Sequence, residues 1–200
     1  KTNPVLVAIA AWPWGAYLGA DGIEKGIRVK TSSFTHHHPN VTMCKAKAVG
    51  NCPVSMFANQ EATHDGYEEA MLVDPQGFLC QGSGENVFIV RNGALHTPDT
   101  SSDILESITR ATVIELAREA GIAVHERTID RHEAYDAKEA FWCGSGYEIQ
   151  PILSLDRLAI GQGAPGEITR MLQKTYFDIV EGRGNAHADW RTSVYGTVAA

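Results

Sequence analysis

The chain has 200 residues, which is enough for one sizeable domain or two small ones. Hydrophobic residues make up 44% and charged residues 20%, a balance typical of a globular protein, and the formal net charge is -7. Because the acidic balance comes without any basic run or stripe, we expect no nucleic-acid partner. The apolar stretch at residues 5–11 is far too short to span a bilayer, so we expect no membrane association either.

The four cysteines, at positions 44, 52, 80 and 143, form no CxxC pair. This usage favours reduced, buried thiols in a cytoplasmic protein. The chain begins with Lys1, and its first residues show no charged, apolar and small-residue succession of the kind that marks a signal peptide.

The first part of the chain combines strand and helix patterns. Residues 5–10 are apolar and predict a strand, which the sequence WPWG at 12–15 ends. Residues 27–34 alternate apolar and polar side chains and predict a second strand. Residues 53–64 have helical periodicity, with proline tolerated at the first position and Gly66 just past the end, so we predict a helix there.

Two β-hairpins are predicted from their turn sequences. The first turn has the sequence DPQG, in which proline and glycine suit the backbone angles that a turn needs. The second turn is Asn92-Gly93, a pair that favours tight two-residue hairpins. The predicted strands are residues 70–73 and 78–81 for the first hairpin and residues 87–90 and 94–97 for the second.

The rest of the chain again mixes helices and strands. Gly121 is placed to end one helix, and Asp130 with Glu133 has the spacing of a capping box at the start of a short helix. This interleaved order predicts an α+β fold or a mixed barrel. The other predicted elements are helices over residues 108–120 and 168–179 and strands over residues 122–129 and 140–143.

Five sequence phrases, in a fixed order and spacing, carry a resemblance. They are AWPWGAYLG at 11–19, SSFT at 32–35, HPN at 38–40, KAKAVGN at 45–51 and GSGEN at 82–86. Together they resemble the class IV, fold-type IV pyridoxal-phosphate enzymes, in particular branched-chain aminotransferases. The likeness runs from about residue 5 to residue 190, and five phrases in order are far more specific than any one of them.

The resemblance implies a fold and a domain organisation. It implies a mixed α/β pseudo-barrel, with residues 1–26 as the interdomain segment and first strand and residues 27–200 as the large, catalytic-lysine domain. We expect the family's small N-terminal domain to be absent from this chain. Family members are homodimers, so the resemblance also implies a homodimer that binds a small-molecule substrate.

The resemblance also implies a cofactor site. Lys47 matches the lysine that binds pyridoxal 5′-phosphate covalently, and the Gly50-Asn51 that follows disfavours Lys45 for this role. Free backbone N–H groups at a helix start make an anion site, and in the family this turn holds the cofactor phosphate. Leu105 matches a residue that packs on the pyridine ring. The residues implied for the phosphate are Ser107, Ile108, Thr109, Ser145 and Gly146.

Several positions depart from the family pattern. Gln81 stands where the family has a glutamate paired with the pyridine nitrogen, and an amide supplies no charge to that ring. Cys52 replaces a tyrosine that contacts the cofactor, and His36 replaces an arginine behind that tyrosine, which removes a permanent fork of donors. The family's phosphate-binding arginine lies in the small domain. We therefore expect weak or no binding of pyridoxal phosphate.

The altered side of the pocket is open to several interpretations. His36 and Cys52 are compatible with a thiol–imidazole pair, in which the histidine activates the thiol, and we count both with Lys47 as candidate catalytic residues. A metal site using Cys52 with His36, His37 or His38 is another interpretation, although we predict no metal, and a polar histidine loop is a third.

Three classes of function follow from these observations. The first is an enzyme with a remodelled pocket, performing lyase, isomerase, dehydratase or cyclase chemistry on a small amino-acid-derived substrate, independent of pyridoxal phosphate if the cofactor no longer binds. The second is a pyridoxal-phosphate-dependent branched-chain aminotransferase. The third is a non-catalytic scaffold subunit.

Overall fold

The structure, a computed structural model, describes residues 3–15 and 19–195. Its helices are α1 (Ala20–Lys25), α2 (Pro53–His64), α3 (Ile108–Glu119), α4 (Arg131–Tyr135) and α5 (Glu167–Val180), with short 3-10 turns at Val49–Asn51 and Ala188–Trp190. Its strands are β1 (Ile27–Thr35), β2 (Glu69–Val73), β3 (Leu79–Gly82), β4 (Asn86–Arg91), β5 (Ala94–Thr97), β6 (Val124–Glu126), β7 (Glu139–Gly144), β8 (Glu148–Leu155) and β9 (Leu158–Ala159). None of the helices in these two ranges is long and apolar enough to cross a membrane.

Within the described residues, all nine strands form one mixed sheet that curls into a half-barrel. The strand order is β3-β2-β1-β8-β7-β4-β5-β6, with β9 paired to β8 outside this path. Strand β1 runs parallel to both β2 and β8, and β5 runs parallel to β6, whereas the other pairs are antiparallel. The expected mixed α/β pseudo-barrel is therefore confirmed.

Both predicted hairpins form, because their turns are specified locally. In the first, the Asp74 carboxylate accepts hydrogen bonds from the backbone N–H groups of Gln76 and Phe78, each at 2.9 Å, and joins β2 to β3. In the second, Asn92 and Gly93 have φ angles of 52° and 74°, the left-handed pair that a tight turn between β4 and β5 requires.

Helices α3 and α5 cover one face of the half-barrel. Phe88 on β4 lies opposite Phe141 on the paired strand β7, and their rings stack with centroids 5.2 Å apart. Apolar residues of both helices complete this core, and each large side chain removed from water contributes about 2 kcal/mol. The helix residues concerned are Val113, Ile114, Leu116 and Ala117 of α3 and Leu172 and Ile179 of α5.

The predicted helix starts also hold. Helix α2 begins at Pro53, and the shorter helix α4 begins after Asp130 with the expected capping box to Glu133. Strand β8, which crosses the centre of the sheet, was not predicted from the sequence. Pro151 in its middle argues against a central strand, yet it pairs opposite Phe141 of β7.

Two predicted strands are wrong or too long. Residues 5–10 form no strand, because in the described part of the chain no other strand pairs with them, and the side chains of Val5, Leu6 and Ile9 are 88–95% exposed. The strand predicted over 122–129 shrinks to β6, three residues that pair in parallel with β5. Helix α1 was missed, since six residues between two glycines carry too little periodicity.

Candidate functional site

A cavity of about 680 Å³ lies at the mouth of the half-barrel, where strands β3 and β7 end. Its wall combines four distant parts of the chain, with Trp14 in addition: the loop between β1 and α2, the end of β3 with the turn after it, the segment that enters α3, and the turn between β7 and β8. The lining residues are Trp14, His36, His37, Cys44, Ala46, Lys47, Ala48, Asn51, Cys52, Ser55, Gln81, Ser83, Gly84, Glu85, Asn86, Leu105, Glu106, Ser107, Ile108, Gly144, Ser145, Gly146 and Tyr147.

The loop that carries Lys47 is held in place by Asn51. The Asn51 side chain donates hydrogen bonds to the carbonyl oxygens of Met43, at 2.8 Å, and of Ala46, at 3.0 Å. The backbone oxygen of Asn51 lies 2.8 Å from Nε2 of His37, which ties the histidine run to the same loop. Because Asn51 closes a compact turn around it, the Lys47 backbone is fixed at the cavity wall.

The two lysines of this loop differ in their surroundings. Lys47 lines the cavity and makes no hydrogen bond or ion pair with the described residues. Lys45 lies outside the cavity wall, where its ammonium donates to the carbonyl oxygen of Thr100 and lies 3.5 Å from the carboxylate of Glu106. The predicted preference for Lys47 over Lys45 therefore agrees with their placement, while the chemical role of Lys47 stays a prediction.

Gln81 and His36 meet at the back of the cavity. The Leu105 backbone N–H donates to Oε1 of Gln81 at 2.8 Å, and Nε2 of Gln81 lies 3.3 Å from Nε2 of His36. Both side chains are buried, with exposed fractions of 8% and 6%. Burial, with a smaller contribution from His37, lowers the pKa of His36 from 6.5 to about 4. This wall is therefore neutral near pH 7.

The start of helix α3 forms another part of the cavity wall. Ser107 is the N-cap, and its hydroxyl accepts a hydrogen bond from the Arg110 backbone N–H at 3.3 Å. The hydrogen bonds found across the described residues include none from the backbone N–H groups of Ile108 and Thr109. Two donors near the positive end of the helix dipole are thus available to an anion.

The predicted phosphate residues come together only in part. Ser107, Ile108, Ser145 and Gly146 all line the cavity. The side chain of Thr109 does not: it is buried on the side of α3 that faces Tyr176, so only its backbone N–H is available to an anion. The predicted ring-packing residue, Leu105, also lines the cavity, and its carbonyl accepts from the Asn86 side chain at 3.1 Å.

A buried carboxyl cluster below the cavity was missed by sequence reasoning. The Tyr147 hydroxyl donates to Glu69 at 2.9 Å, and Glu69 lies close enough to Glu85 for its charge to act on that carboxyl group. Burial, together with the charge of Glu69, raises the pKa of Glu85 well above its usual range. Within the described residues Oε1 of Glu85 has no hydrogen-bond partner. The phrase GSGEN contains Glu85, but Glu69 and Tyr147 come from separate elements.

Cys52 and His36 both line the cavity but do not contact each other through a hydrogen bond. The Cys52 thiol lies 3.7 Å from the Ala48 carbonyl oxygen, at the start of α2. Nε2 of His36 faces Gln81, and its buried Nδ1 has no partner among the residues described. The thiol–imidazole interpretation therefore has no hydrogen bond between these two described side chains to support it, and a catalytic role for either residue stays a prediction. Cys52 is also exposed, so the expectation that all four thiols are buried is wrong at this position.

The histidine run forms no ligand set in this structure. His37 contacts the Asn51 carbonyl, and Nδ1 of His38 accepts a hydrogen bond from the Asn40 backbone N–H at 3.1 Å. Across residues 3–15 and 19–195 no group of three or more histidine, cysteine or acidic side chains is arranged to hold a metal ion.

Comparison with known proteins assigns this arrangement to one group. The amino-transferase class IV family matches residues 1–155. The branched-chain-amino-acid aminotransferase of Pseudomonas aeruginosa is 48% identical over 190 residues, which are 95% of this chain and 62% of that protein. The Escherichia coli protein of the same name is 40% identical over 188 residues, or 94% of this chain and 61% of that protein.

Solved structures agree with the sequence comparison. The crystal structure of the Escherichia coli branched-chain amino acid aminotransferase superposes with a TM-score of 0.88 at 40% identity, covering 90% of this chain and 60% of that one. The pyridoxal-phosphate form of the Thermobaculum terrenum aminotransferase gives 0.81 at 46% identity, covering 83% and 54%. The chain thus spans about three fifths of the length of the curated relatives it matches.

Proposed function

Because the chain belongs to the amino-transferase class IV family, we propose that its cavity binds pyridoxal 5′-phosphate at Lys47 and acts on the amino group of a small amino acid. The observation that carries this proposal is the convergence of Lys47, Gln81 and Ser107 on one cavity from three distant elements. A volume of about 680 Å³ suits a cofactor with a small substrate.

The residues present fit the cofactor at both of its ends. The unbonded N–H groups of Ile108 and Thr109 at the start of α3 suit a phosphate, and the Ser107 and Ser145 hydroxyls line the cavity nearby. The amine of Lys47, which no described residue neutralises, is available to join the cofactor carbonyl.

When bound, the cofactor supplies an electron-withdrawing ring that weakens the bonds at the α-carbon of an amino acid. The protein supplies positioning and proton transfer. We propose that the Lys47 amine would carry a proton to and from the α-carbon of the substrate, since it is the only lysine in the described lining of the cavity. Leu105 would hold the ring flat, and Trp14 would exclude water at the mouth.

We propose an amino acid with an apolar, branched side chain as the substrate. The printed names of the relatives support this choice, as do the apolar side chains of Trp14, Ala46, Leu105 and Ile108 in the cavity wall. We also expect weak cofactor binding, because Gln81 and neutral His36 offer no charge to the ring.

A second candidate is a remodelled enzyme that performs lyase, isomerase, dehydratase or cyclase chemistry instead of transamination. The observation that favours it is the uncharged Gln81–His36 wall, since a neutral environment at the ring reduces its capacity to accept electrons. Such chemistry would still use the same lysine and the same anion site.

The experiment starts with the absorbance spectrum of the purified protein incubated with pyridoxal phosphate. We expect a visible band that borohydride abolishes, and a covalent adduct at Lys47 in a peptide map. Lys47→Ala should remove the adduct and the amino transfer from leucine, isoleucine or valine to a keto acid, whereas the matched control Lys45→Ala should retain both.

The other outcomes separate the alternatives. A reducible adduct without amino transfer would favour the remodelled enzyme. The absence of both adduct and activity would refute the proposed function and leave the scaffold role. Equal losses in the two lysine variants would show that the assignment of Lys47 is wrong.

We also propose a homodimer, in line with the family. Large apolar side chains are exposed on the described surface, among them Met56, at 59%, and the stacked pair Phe34 and Phe57, at 41% and 54%. Light scattering at micromolar concentration should report twice the monomer mass, and a monodisperse monomer would contradict this expectation.

A further inference from the structure

The amide of Gln81 has a fixed orientation. The Leu105 backbone N–H, at 2.8 Å, needs an acceptor, and only the Oε1 atom of the amide can provide one. A flipped amide would place its NH₂ group against this N–H. The Nε2 atom, with two hydrogens, must therefore point toward His36 and the cavity.

This orientation determines the tautomer of His36. The Gln81 NH₂ group only donates, so Nε2 of His36, at 3.3 Å, must accept. The proton of the neutral imidazole then resides on Nδ1, which is buried and has no partner among the described residues. The side chain of His36, 94% buried, thus keeps an unsatisfied donor at the cavity wall.

The wall formed by Gln81 and His36 therefore presents hydrogen-bond donors to the cavity and carries no charge. One hydrogen of the Gln81 NH₂ group is used by His36, and the other remains for a ligand. Neither acidic residue of the described cavity wall hydrogen-bonds to Gln81: Oε2 of Glu85 accepts from the Gly84 backbone N–H at 2.7 Å, and the Glu106 carboxylate lies 3.5 Å from the Lys45 ammonium. A cationic ligand atom at Gln81 would face a donor.

We infer that the Gln81–His36 wall binds an unprotonated acceptor nitrogen of a heteroaromatic ligand. The inference rests on the proposed function, so the nitrogen concerned is the ring nitrogen of pyridoxal phosphate. Leu105 links the two features, since its N–H fixes the Gln81 amide and its side chain lines the cavity beside it. A ring that packs on Leu105 presents its edge to the remaining hydrogen of Gln81.

The protonation state of the ring nitrogen determines how strongly the cofactor ring withdraws electrons. A protonated ring nitrogen draws electrons strongly, whereas a neutral nitrogen that only accepts a hydrogen bond draws them weakly. The wall therefore determines the specificity for the protonation state of the ring and favours steps that need less charge on it.

The first test uses the protein without cofactor, so that it does not depend on the proposed function. Nitrogen NMR of ¹⁵N-histidine-labelled protein at pH 7, assigned with His36→Gln, should show His36 with a bare Nε2 and a protonated Nδ1. A proton on Nε2 would overturn the inference, because Gln81 would then have to present its oxygen to His36.

The second test uses the protein loaded with pyridoxal phosphate labelled with ¹⁵N in the ring. In the wild type we expect the signal of an unprotonated, hydrogen-bonded nitrogen at pH 7. Gln81→Glu should move the signal into the range of a protonated nitrogen. Gln81→Met, of similar size but without a donor, should leave the nitrogen unprotonated and remove the shift caused by the hydrogen bond.

The outcomes are separable. A protonated nitrogen in the wild type, or identical signals in the wild type and Gln81→Met, would overturn the inference. If no cofactor binds, the proposed function fails, and the tautomer of His36 in the first test alone decides whether the donor wall exists.

Discussion

Replacing His36 with glutamine should remove part of the pH dependence of stability. Burial lowers the pKa of this imidazole from 6.5 to about 4 in the folded protein. Below pH 6.5 the imidazole is protonated in the unfolded chain but stays neutral in the folded protein. Proton binding therefore stabilises the unfolded state relative to the folded one. The stability associated with neutral His36 is therefore complete above pH 6.5 and is lost as the pH falls toward 4.

The size of the effect follows from the two pKa values. Because each pKa unit corresponds to about 1.4 kcal/mol, the fall from 6.5 to about 4 represents about 3 kcal/mol of unfolding free energy. The side chain is 94% buried, so solvent screens little of this. Against a typical stability of about 5–15 kcal/mol, such a loss is easily measured.

Urea unfolding at pH 7, 5.5 and 4.5 measures the effect directly. Between pH 7 and pH 4.5, the unfolding free energy of His36→Gln should fall by about 2 kcal/mol less than that of the wild type. The matched control is His64→Gln, because the side chain of His64 is 91% exposed. If His36→Gln and the wild type lost stability in parallel, the burial of a neutral imidazole beside Gln81 would be refuted.

Three further predictions concern single side chains. Exposed Cys52 should react with iodoacetamide faster than the three buried cysteines, and the advantage should persist in His36→Ala if exposure rather than a thiol–imidazole pair causes it. The Arg127 guanidinium lowers the pKa of Glu133 to about 2. Glu133→Gln should therefore lower the unfolding free energy, measured with urea, by about 2 kcal/mol at pH 7. The difference from the wild type should disappear as the pH falls from 4.5 toward 2. Burial raises the pKa of Glu85, so the stability that its protonated form contributes is complete below pH 4.5 and is lost as the pH rises. At pH 8, Glu85→Gln should therefore have a higher urea midpoint of unfolding than the wild type. A lower midpoint would contradict this prediction.

The sequence predicted those parts of the fold that are specified by neighbouring residues. The turn at Asn92-Gly93 and the capping box of Asp130 with Glu133 each lie within a few residues, and both form. Strand β8 escaped prediction because Pro151 is unfavourable locally and only its partners on β7 make it a strand. Residues 5–10 were misjudged for the opposite reason, since an apolar run forms a strand only where a partner exists.

In the candidate site, too, local sequence features were predicted and contacts between distant residues were not. The ordered phrases led to the choice of Lys47 over Lys45 and of the start of α3, and both roles stay predictions. The contacts that tune the site join residues far apart in sequence: Gln81 and His36 are separated by 45 positions, and Tyr147 and Glu69 by 78. Such pairs leave no periodic signal in the sequence, and the burial of the Thr109 side chain was likewise not predicted, because it faces Tyr176 on a distant helix.

The short segment from Leu105 to Thr109 connects the Gln81 wall of the cavity to the start of α3. Its first residue is clamped on both sides, by Gln81 at the N–H and by the Asn86 side chain at the carbonyl, and its last two carry the free N–H groups of α3. Five consecutive residues of backbone therefore fix the spacing between the Gln81 amide and the free N–H groups of α3. A tilt of α3 would therefore also move Leu105 and, through its hydrogen bond, the amide of Gln81.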